Sequence, residues 1–151
     1  MESVSDQPRL IDGGVHEDNR GSLAFFNEFS FTEVERFYVI RPERPRTVRG
    51  WTGHQRERKW FTAVEGTITV AVVRPDDWQS PDPHIQVTIF TLSAGKPQIL
   101  VIPPGHATAI VGVSPRSALI VFSTGTINQA PSDNYRFPPD FWKIPESKLE
   151  A

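Results

Sequence analysis

The sequence contains no cysteine, which excludes disulfide bonds, thiolate metal sites and cysteine nucleophiles. No apolar run approaches the roughly 18 residues that a membrane-spanning helix needs, so we expect no membrane span. The N-terminal stretch, M-E-S-V-S-D-Q-P-R, has no apolar segment and does not resemble a signal peptide. Because a cysteine-free chain is compatible with a reducing compartment, these absences predict a cytoplasmic protein.

The chain also lacks a strong charge of one sign. Its formal net charge is only -2, which argues against a general nucleic-acid binder. Basic residues are nevertheless concentrated between positions 41 and 59, where only Glu43 and Glu57 oppose them. They are Arg41, Arg44, Arg46, Arg49, Arg56, Arg58 and Lys59. Such a local excess suits a small anionic ligand such as a diphosphate, although most of these arginines are expected to form a solvated surface strip.

No segment shows helical periodicity over three turns. Short runs rich in β-branched and aromatic residues alternate instead with turn signals, which predicts an all-β sandwich or barrel. The predicted strands are 22–26, 35–40, 48–54, 59–64, 67–74, 85–92, 98–102, 108–113 and 118–123. We expect one short turn at 31–36 and a frayed helix at 143–150. The 151 residues suggest one domain, with a jelly-roll barrel at about 16–125 and an aromatic tail at 126–151.

The segment 48–66, V-R-G-W-T-G-H-Q-R-E-R-K-W-F-T-A-V-E-G, organises the rest of the chain. Residues two apart on a strand face the same side, so Thr52 and His54 are predicted to point the same way. Arg49 and Lys59 flank this pair. A basic, aromatic strand that carries an imidazole and ends in a turn is typical of a pocket wall.

Several pieces of the chain resemble the cupin superfamily, and within it the RmlC-like, nucleotide-sugar branch. They are D-N-R-G at 18–21, R-F-Y-V-I at 36–40, V-R-G-W at 48–51, V-E-G at 64–66 and I-P-P-G at 102–105. That branch includes dTDP-4-dehydrorhamnose 3,5-epimerase and the dTDP-sugar 3,4-ketoisomerases. The resemblance implies a cupin jelly roll (double-stranded β-helix) and a homodimer that exchanges sheet edges, which would cover exposed strands.

The resemblance also locates the positions at which metal-binding cupins carry their ligands. In this sequence those positions fall on Thr52, His54, Lys59 and Thr108, and His106 lies two residues before the last of them. One imidazole, two hydroxyls and an ammonium group make a poor ligand set for a divalent metal. We therefore predict no metal and no other cofactor, which disfavours a metal-dependent dioxygenase or phosphomannose isomerase.

The metal-free branch implies a proton-transfer site. His54 matches the second histidine of the ketoisomerases and is the candidate base, and Lys59 matches the lysine that stabilises charge on the keto oxygen. Tyr38 is the candidate proton donor. His106, after P-P-G, is a candidate second imidazole from the opposite wall. The set is incomplete, because the epimerases' general base corresponds to Thr52, whose hydroxyl is a poor base.

A second gap lies late in the barrel. The acidic tyrosine of the epimerases corresponds to Val121 or Phe122, neither of which can donate a proton. The residues therefore argue against 3,5-epimerisation by the usual route.

Candidate ligand-binding residues also follow from the resemblance. Arg20 and Arg49 match arginines that contact the nucleotide diphosphate, and Glu28 is a candidate on the nucleotide side. Thr52 and Trp51 complete the predicted substrate contacts. For Arg20 the alternative is a salt bridge to the nearby Asp18, and for Trp51 it is a place in the core.

Two functions remain open at this point. The first is a metal-independent isomerase or epimerase of a nucleotide-linked keto-sugar, most plausibly dTDP-linked. The alternative is a catalytically inactive cupin that binds a nucleotide sugar or another anionic carbohydrate. Retained Lys59 and His54 favour the enzyme, whereas Thr52 and Thr108 favour the binding protein.

Overall fold

A computed structural model describes residues 6–149 and contains only β-strands and two short 3-10 turns, as the sequence predicts. The strands are β1 Arg9–Asp12, β2 Gly14–Asp18, β3 Gly21–Phe25, β4 Arg36–Ile40, β5 Val48–His54, β6 Lys59–Glu65, β7 Thr67–Val73, β8 Thr88–Ser93, β9 Gln98–Ile102, β10 His106–Gly112, β11 Ala118–Ser123 and β12 Tyr135–Arg136. The 3-10 turns are Ala130–Asp133 and Glu146–Lys148.

The strands form two antiparallel five-stranded sheets and a separate hairpin. The first sheet has the order β1-β9-β6-β11-β4, and the second has the order β12-β5-β10-β7-β8. Strands β2 and β3 pair only with each other. Two sheets in this arrangement agree with the predicted jelly roll, since neighbours in each sheet come from distant parts of the sequence.

Alternation along the strands explains how the core fills. Every second residue of β6 and β7 is apolar and points between the sheets, where the main buried cluster includes Phe61, Ile68, Val70 and Leu119. The tail covers the outer face of the second sheet, where Trp142 packs edge-to-face on Trp51 with ring centroids 5.2 Å apart. The inner face is therefore left to form the core and, at one end, a cavity.

Two helical expectations resolve differently. The short turn expected at 31–36 is present, because the N–H of Val34 donates to the carbonyl of Phe31 over 3.0 Å. The frayed helix expected at 143–150 is wrong over its described residues, which contain only the three-residue 3-10 turn. Pro145 restricts the residue before it and so interrupts helix formation there. The described part of the chain contains no helix with the length and hydropathy needed to span a membrane.

A bulge in β5 decides which residues face the interior. The register between β5 and β10 shifts between Thr108 and Ala109, so that Thr108 lies opposite Thr52 and Ala109 lies opposite Gly50. Gly50 has a φ of 139°, and a Cβ there would lie 2.7 Å from the carbonyl oxygen of Thr108. Only glycine fits this position. The extra residue resets the alternation, and Arg49 joins Thr52 and His54 on the inner face.

Candidate active site

The inner ends of five strands and the segment after the barrel enclose a cavity of about 290 Å³. Its lining is Arg36, Tyr38, Ile40, Arg49, Thr52, His54, Lys59, Phe61, Thr108, Ile110, Ala130, Asn134 and Arg136. Four of these side chains are cationic, and no acidic side chain lines the cavity among residues 6–149. The cavity thus combines an apolar floor with a positive potential suited to an anionic ligand.

His54 is the imidazole of this wall. It is 8% exposed, and its Nδ1 lies 2.7 Å from the backbone carbonyl of Asp133 and 3.0 Å from Oε2 of Glu57. A carbonyl oxygen can only accept a hydrogen bond, so Nδ1 carries the proton. Nε2 is buried and has no hydrogen-bond partner. Nδ1 is therefore engaged, and Nε2 is the ring nitrogen left without a protein partner.

Glu57 supports His54 from behind the cavity wall. Its carboxylate accepts hydrogen bonds from His54 and from the hydroxyl of Ser123, and Arg36 lies 3.5 Å away. Burial alone would raise the pKa of Glu57, but the hydrogen bonds from His54 and Ser123 and the charge of Lys59 outweigh it and lower this pKa to about 2. Glu57 therefore stays ionised and stabilises a proton on His54.

Asp133 holds the turn that carries Glu57. Its Oδ1 accepts from the backbone N–H of Gln55 over 2.8 Å, and its Oδ2 accepts from those of Arg56 and Glu57, each over 3.0 Å. One carboxylate thus accepts hydrogen bonds from three consecutive backbone N–H groups. The backbone carbonyl of the same residue accepts a hydrogen bond from Nδ1 of His54. The segment after the barrel is in this way tied directly to the candidate base.

Lys59 and Tyr38 form a second polar group inside the cavity. Nζ of the buried Lys59 donates to Oη of Tyr38 over 2.9 Å, and the guanidinium of Arg36 lies 5.1 Å from the centre of the Tyr38 ring. Since the ammonium occupies a lone pair of Oη, the phenolic hydrogen remains available to a ligand oxygen. The pair can stabilise negative charge and supply a proton at one place.

Comparison with solved structures identifies the fold. A 3'-monoepimerase from Streptomyces bikiniensis, solved with dTDP, superposes with a TM-score of 0.74 at 17% identity over 100% of this chain and 82% of its own. A sugar 3,4-ketoisomerase from Thermoanaerobacterium thermosaccharolyticum, solved with TDP, gives 0.68 at 17% over 89% and 90%. The chain has the RmlC-like cupin fold.

A further cupin neighbour is a 4-keto-6-deoxy sugar epimerase from Streptomyces spheroides, with a TM-score of 0.74 at 17% identity over 91% of this chain and 73% of its own. No family model and no curated protein sequence matches the chain. The resemblance drawn from short motifs is therefore confirmed at the level of the fold.

The cupin barrel brings together most of the residues that the sequence singled out. His54, Lys59, Tyr38, Arg49 and Thr52 all line the same cavity. Thr52 and His54 share the inner face of β5, as their spacing predicts. The position expected for a late tyrosine is filled by the buried, apolar Val121, which packs in the core.

Four predicted residues lie outside this cavity. Trp51 is 1% exposed and packs against the tail on the outer face of β5, which corrects its expected contact with substrate. Arg20 forms the salt bridge to Asp18 that was its alternative, over 2.6 Å at the exposed tip of the β2–β3 hairpin. Glu28 is exposed in the loop after β3.

His106 is the fourth of these residues. It faces His54 across the β5–β10 ladder but lines a separate cavity of about 210 Å³ beside Arg74 and Thr88. Its Nδ1 lies 3.0 Å from the carbonyl of Pro103, and burial lowers its pKa. The structure does not bring this imidazole to the cavity of His54.

The sequence did not indicate several residues of the site. Arg36 shares the inner face of β4 with Tyr38 and could have been found from their spacing of two. Glu57 appeared only as a charge opposing the basic cluster. Asp133 and Arg136 come from the tail, and no local pattern places that segment against β5.

Atoms of His54, Glu57 and Asp133 lie within 4.8 Å of one another, close enough to be considered as metal ligands. The carboxylate oxygens already accept hydrogen bonds, however. Both side-chain oxygens of Asp133 accept hydrogen bonds from backbone N–H groups, and the carboxylate of Glu57 accepts hydrogen bonds from Ser123 and His54. Nδ1 of His54 donates a proton into the cluster and both carboxylates already accept hydrogen bonds, so the arrangement fits a hydrogen-bonded support for His54 better than a cation site.

The lowered pKa of Glu57 predicts a specific pH dependence of stability. Between its ordinary value of 4.5 and the folded value of about 2, the carboxylate contributes about 3 kcal/mol at neutral pH. This contribution is present above pH 4.5 and is lost as the pH falls towards 2. Urea unfolding should show Glu57→Gln less stable than the wild type at pH 7, with a difference that narrows progressively below pH 4.5. A difference that stays constant from pH 7 to pH 3 contradicts this account.

Proposed function

We propose that the protein binds a nucleotide-linked 4-keto sugar in this cavity and moves a proton between adjacent carbons of the sugar. The observation that carries the proposal is the buried, unpartnered Nε2 of His54 in a cavity that four cationic side chains also line. A free imidazole nitrogen in a positive, partly apolar cavity is suited to removing a proton α to a carbonyl, since the positive surroundings stabilise the resulting oxyanion.

The chemistry needs one base and one charge stabiliser. Nε2 of His54 takes the C3 proton, the electrons of that bond form a C3–C4 double bond, and the carbonyl electrons move onto O4. Lys59 and the Tyr38 hydroxyl lie in the same cavity and stabilise the enediolate. Return of the proton to C4, with transfer of the O3 proton to O4, gives the 3-keto isomer. Delivery of a proton to the opposite face of C3 by a second group, for which the Tyr38 hydroxyl is the candidate, gives the epimer.

The remaining cations suit the diphosphate of such a substrate. Arg49 and Arg136 line the cavity and are exposed, so they lie towards its mouth, whereas Arg36 is partly committed to Glu57 and to the carbonyl of Gly125. Guanidinium groups match phosphate oxygens in geometry and charge. The solved neighbours bound to dTDP or TDP support this ligand class.

A binding protein without turnover is the second candidate function. The observation that favours it is the pair of hydroxyls from Thr52 and Thr108, which lie opposite each other in the cavity. His54 is the one imidazole among the described residues of the lining. A protein of this kind would hold the same ligand and leave the sugar unchanged.

One experiment separates the two functions. The protein is incubated with dTDP-4-keto-6-deoxyglucose in D₂O, and proton NMR follows the C3 and C4 signals of the sugar. We expect loss of the C3 proton and appearance of a 3-keto or C3-inverted product. In parallel, dTDP at a hundred times its dissociation constant should stabilise the fold by about 2.7 kcal/mol, with and without EDTA. Stabilisation without exchange supports the binding protein, and absence of both contradicts the proposed ligand class.

The proposed assembly is a homodimer. Phe37 and Val39 on the edge strand β4 are 65% and 47% exposed, Phe31 in the loop before this strand is 63% exposed, and Leu23 on the hairpin is 59% exposed. A lone two-stranded hairpin is marginally stable in water, and an edge strand with aromatic side chains invites pairing. A second copy of the chain would cover both.

Light scattering coupled to gel filtration should give twice the monomer mass for the wild type and a shift towards monomer for Phe37→Lys. Ile127→Lys changes a residue that is 71% exposed in the tail and should leave the mass unaltered. A monomeric wild type contradicts the assembly.

A further inference from the structure

We propose that the small cavity beside His106 is a second binding site, for a phosphate group that still carries a proton. The cavity has a volume of about 210 Å³, and none of the residues that line it also lines the cavity of His54. Pockets for drug-sized ligands measure roughly 300–1,000 Å³, so this one is sized for an ion or a small fragment. Its polar side chains are Gln7, Arg74, Gln86, Thr88 and His106.

The register of the second sheet brings these polar groups together. His106 is the first residue of β10 and lies opposite His54 of β5. On the other side of β10, the pairing with β7 runs up to the residue before Arg74, which places Arg74 beside His106. Thr88 opens β8 on the far side of β7. Since residues opposite each other in a ladder point to one face, the sheet sets an imidazole, a guanidinium and a hydroxyl around one space.

His106 is buried with one ring nitrogen unused. It is 4% exposed, and its Nδ1 donates to the backbone carbonyl of Pro103 over 3.0 Å. Within residues 6–149 no hydrogen bond engages Nε2. Burial lowers the pKa of His106, the carbonyl of Pro103 opposes this effect without cancelling it, and the charge of Arg74 adds to it. The ring is therefore uncharged at pH 7.5, and its Nε2 can only accept a hydrogen bond.

Arg74 supplies the positive charge of the cavity. Its guanidinium lies 3.6 Å from Oδ2 of Asp6 and makes no hydrogen bond in the described part of the chain. Both side chains of this ion pair are exposed, and exposed pairs contribute little to stability, so a bound anion can replace Asp6. Guanidinium N–H groups match the oxygens of phosphate in charge and geometry.

An acceptor beside a cation selects the ligand. Nε2 of His106 needs a hydrogen-bond donor, whereas Arg74 needs an anionic oxygen. Phosphate near neutral pH carries at least one P–OH group together with charged oxygens, so one ion satisfies both. Sulfate has the same shape but no proton at this pH, and its oxygen would face the lone pair of Nε2. A site that must hydrogen-bond a ligand O–H discriminates strongly against an analogue that lacks it.

NMR of the histidine rings tests this site in the intact protein. The chain has four histidines, so ring ¹⁵N–¹H spectra can be assigned by substituting each in turn. At pH 7.5 and constant ionic strength, inorganic phosphate should shift the Nε2 signal of His106 to saturation, and sulfate should leave it unchanged. A titration with glycerol 3-phosphate identifies the source of the group. A lower half-saturation for the ester indicates a small metabolite, a lower one for inorganic phosphate indicates the free ion, and either supports the site.

Matched variants separate the two contacts. Arg74→Gln should weaken phosphate binding about tenfold, and His106→Phe, which keeps a ring but has no acceptor, should abolish it. Arg116→Gln removes an exposed arginine that also pairs with a carboxylate but lines neither cavity, and its phosphate affinity should equal that of the wild type. The wild-type titration needs no variant, so a poorly folding His106→Phe does not leave the question open.

Acid should remove the discrimination between the two ions. The charged and titratable groups that face His106 are Arg74 after β7, Asp6 before β1 and His54 of β5. Once the pH falls below the folded pKa of His106, Nε2 gains a proton and becomes a donor. Sulfate should then shift the His106 signals as phosphate does. A sulfate affinity that stays unchanged while the ring titrates contradicts the role of Nε2.

The inference goes beyond the proposed function and does not depend on it. The cationic cavity of His54 also attracts phosphate, so the His54 ring signals serve as the internal comparison. If phosphate shifts the His54 signals and leaves those of His106 unaltered, the ion binds only in the main cavity and the second site is wrong. Equal shifts of His106 by phosphate and sulfate at pH 7.5 also overturn the assignment. Neither result affects dTDP binding or proton exchange, on which the proposed function stands.

Discussion

Replacement of His54 by asparagine should reduce turnover of the keto sugar by about a thousandfold while dTDP still binds. A positioned general base contributes on the order of 10²–10⁴ in rate, and His54 is the one imidazole among the described residues that line the cavity. Asparagine is similar in size and can still donate to the carbonyl of Asp133, so the wall should keep its shape. The measurement is the rate of C3 proton exchange into D₂O at saturating substrate, together with the dTDP affinity.

Two other histidines serve as comparisons. His84→Asn changes an exposed residue in the 75–84 loop and should leave the exchange rate unaltered. His106→Asn tests whether the imidazole in the neighbouring cavity takes part, and we expect most of the activity to remain because the structure separates it from His54. A His54→Asn protein that exchanges at the wild-type rate contradicts the assignment of the base. A fall in dTDP affinity equal to the fall in rate would instead make His54 a binding residue.

The inner wall of the barrel could be predicted because strand alternation is a local property. Thr52 and His54 on β5 face the cavity for this reason, and Lys59 begins the strand that follows. Trp51 shows the limit of that logic. Its aromatic character suggested a ligand contact, yet alternation sends it to the outer face, where the tail buries it. Polarity of a strand residue was therefore a better guide to the cavity than aromaticity.

The position of Arg49 required information that the sequence alone does not hold. Strict alternation would place Arg49 on the face opposite Thr52 and His54, because it lies three and five positions before them and odd separations fall on opposite faces. The bulge at Gly50 adds one residue to β5, which shifts the alternation of side chains and turns Arg49 to the inner face. The glycine was visible in the sequence, but the register shift against β10 depends on a strand more than fifty residues away. Residues of the tail, such as Asp133, could not be placed from the sequence for the same reason, because their partners lie far away in the chain.

Sequence motifs also placed Arg20 and Glu28 near the nucleotide, whereas the single chain carries them on the hairpin and the loop after it. Both residues are exposed and lie outside the cavity lining, so the single chain does not bring them to the candidate site.

Asp133→Ala should strongly destabilise the fold through the segment after the barrel. Its carboxylate accepts three consecutive backbone N–H bonds, and the N–H of Glu57 among them is buried. Hydrogen bonds to a charged acceptor are stronger than neutral ones, and a buried donor without a partner is costly, so we expect a loss of about 3 kcal/mol in unfolding free energy. Urea denaturation measures it, with Asp140→Ala, an exposed carboxylate of the same tail, expected within about 0.5 kcal/mol of the wild type.

The same variant tests whether the tail sets the chemistry of the site. The turn at 55–57 carries Glu57, and without its anchor the carboxylate no longer stays opposite Nδ1 of His54. ¹⁵N NMR of the His54 ring should then report a mixture of tautomers, where the wild type holds the proton on Nδ1. Asp133→Asn retains one side-chain oxygen for the turn, so its tautomer should remain closer to the wild type. If Asp133→Ala is destabilised but keeps the Nδ1–H tautomer, the Asp133 carboxylate is only a structural clamp and does not set the tautomer of His54.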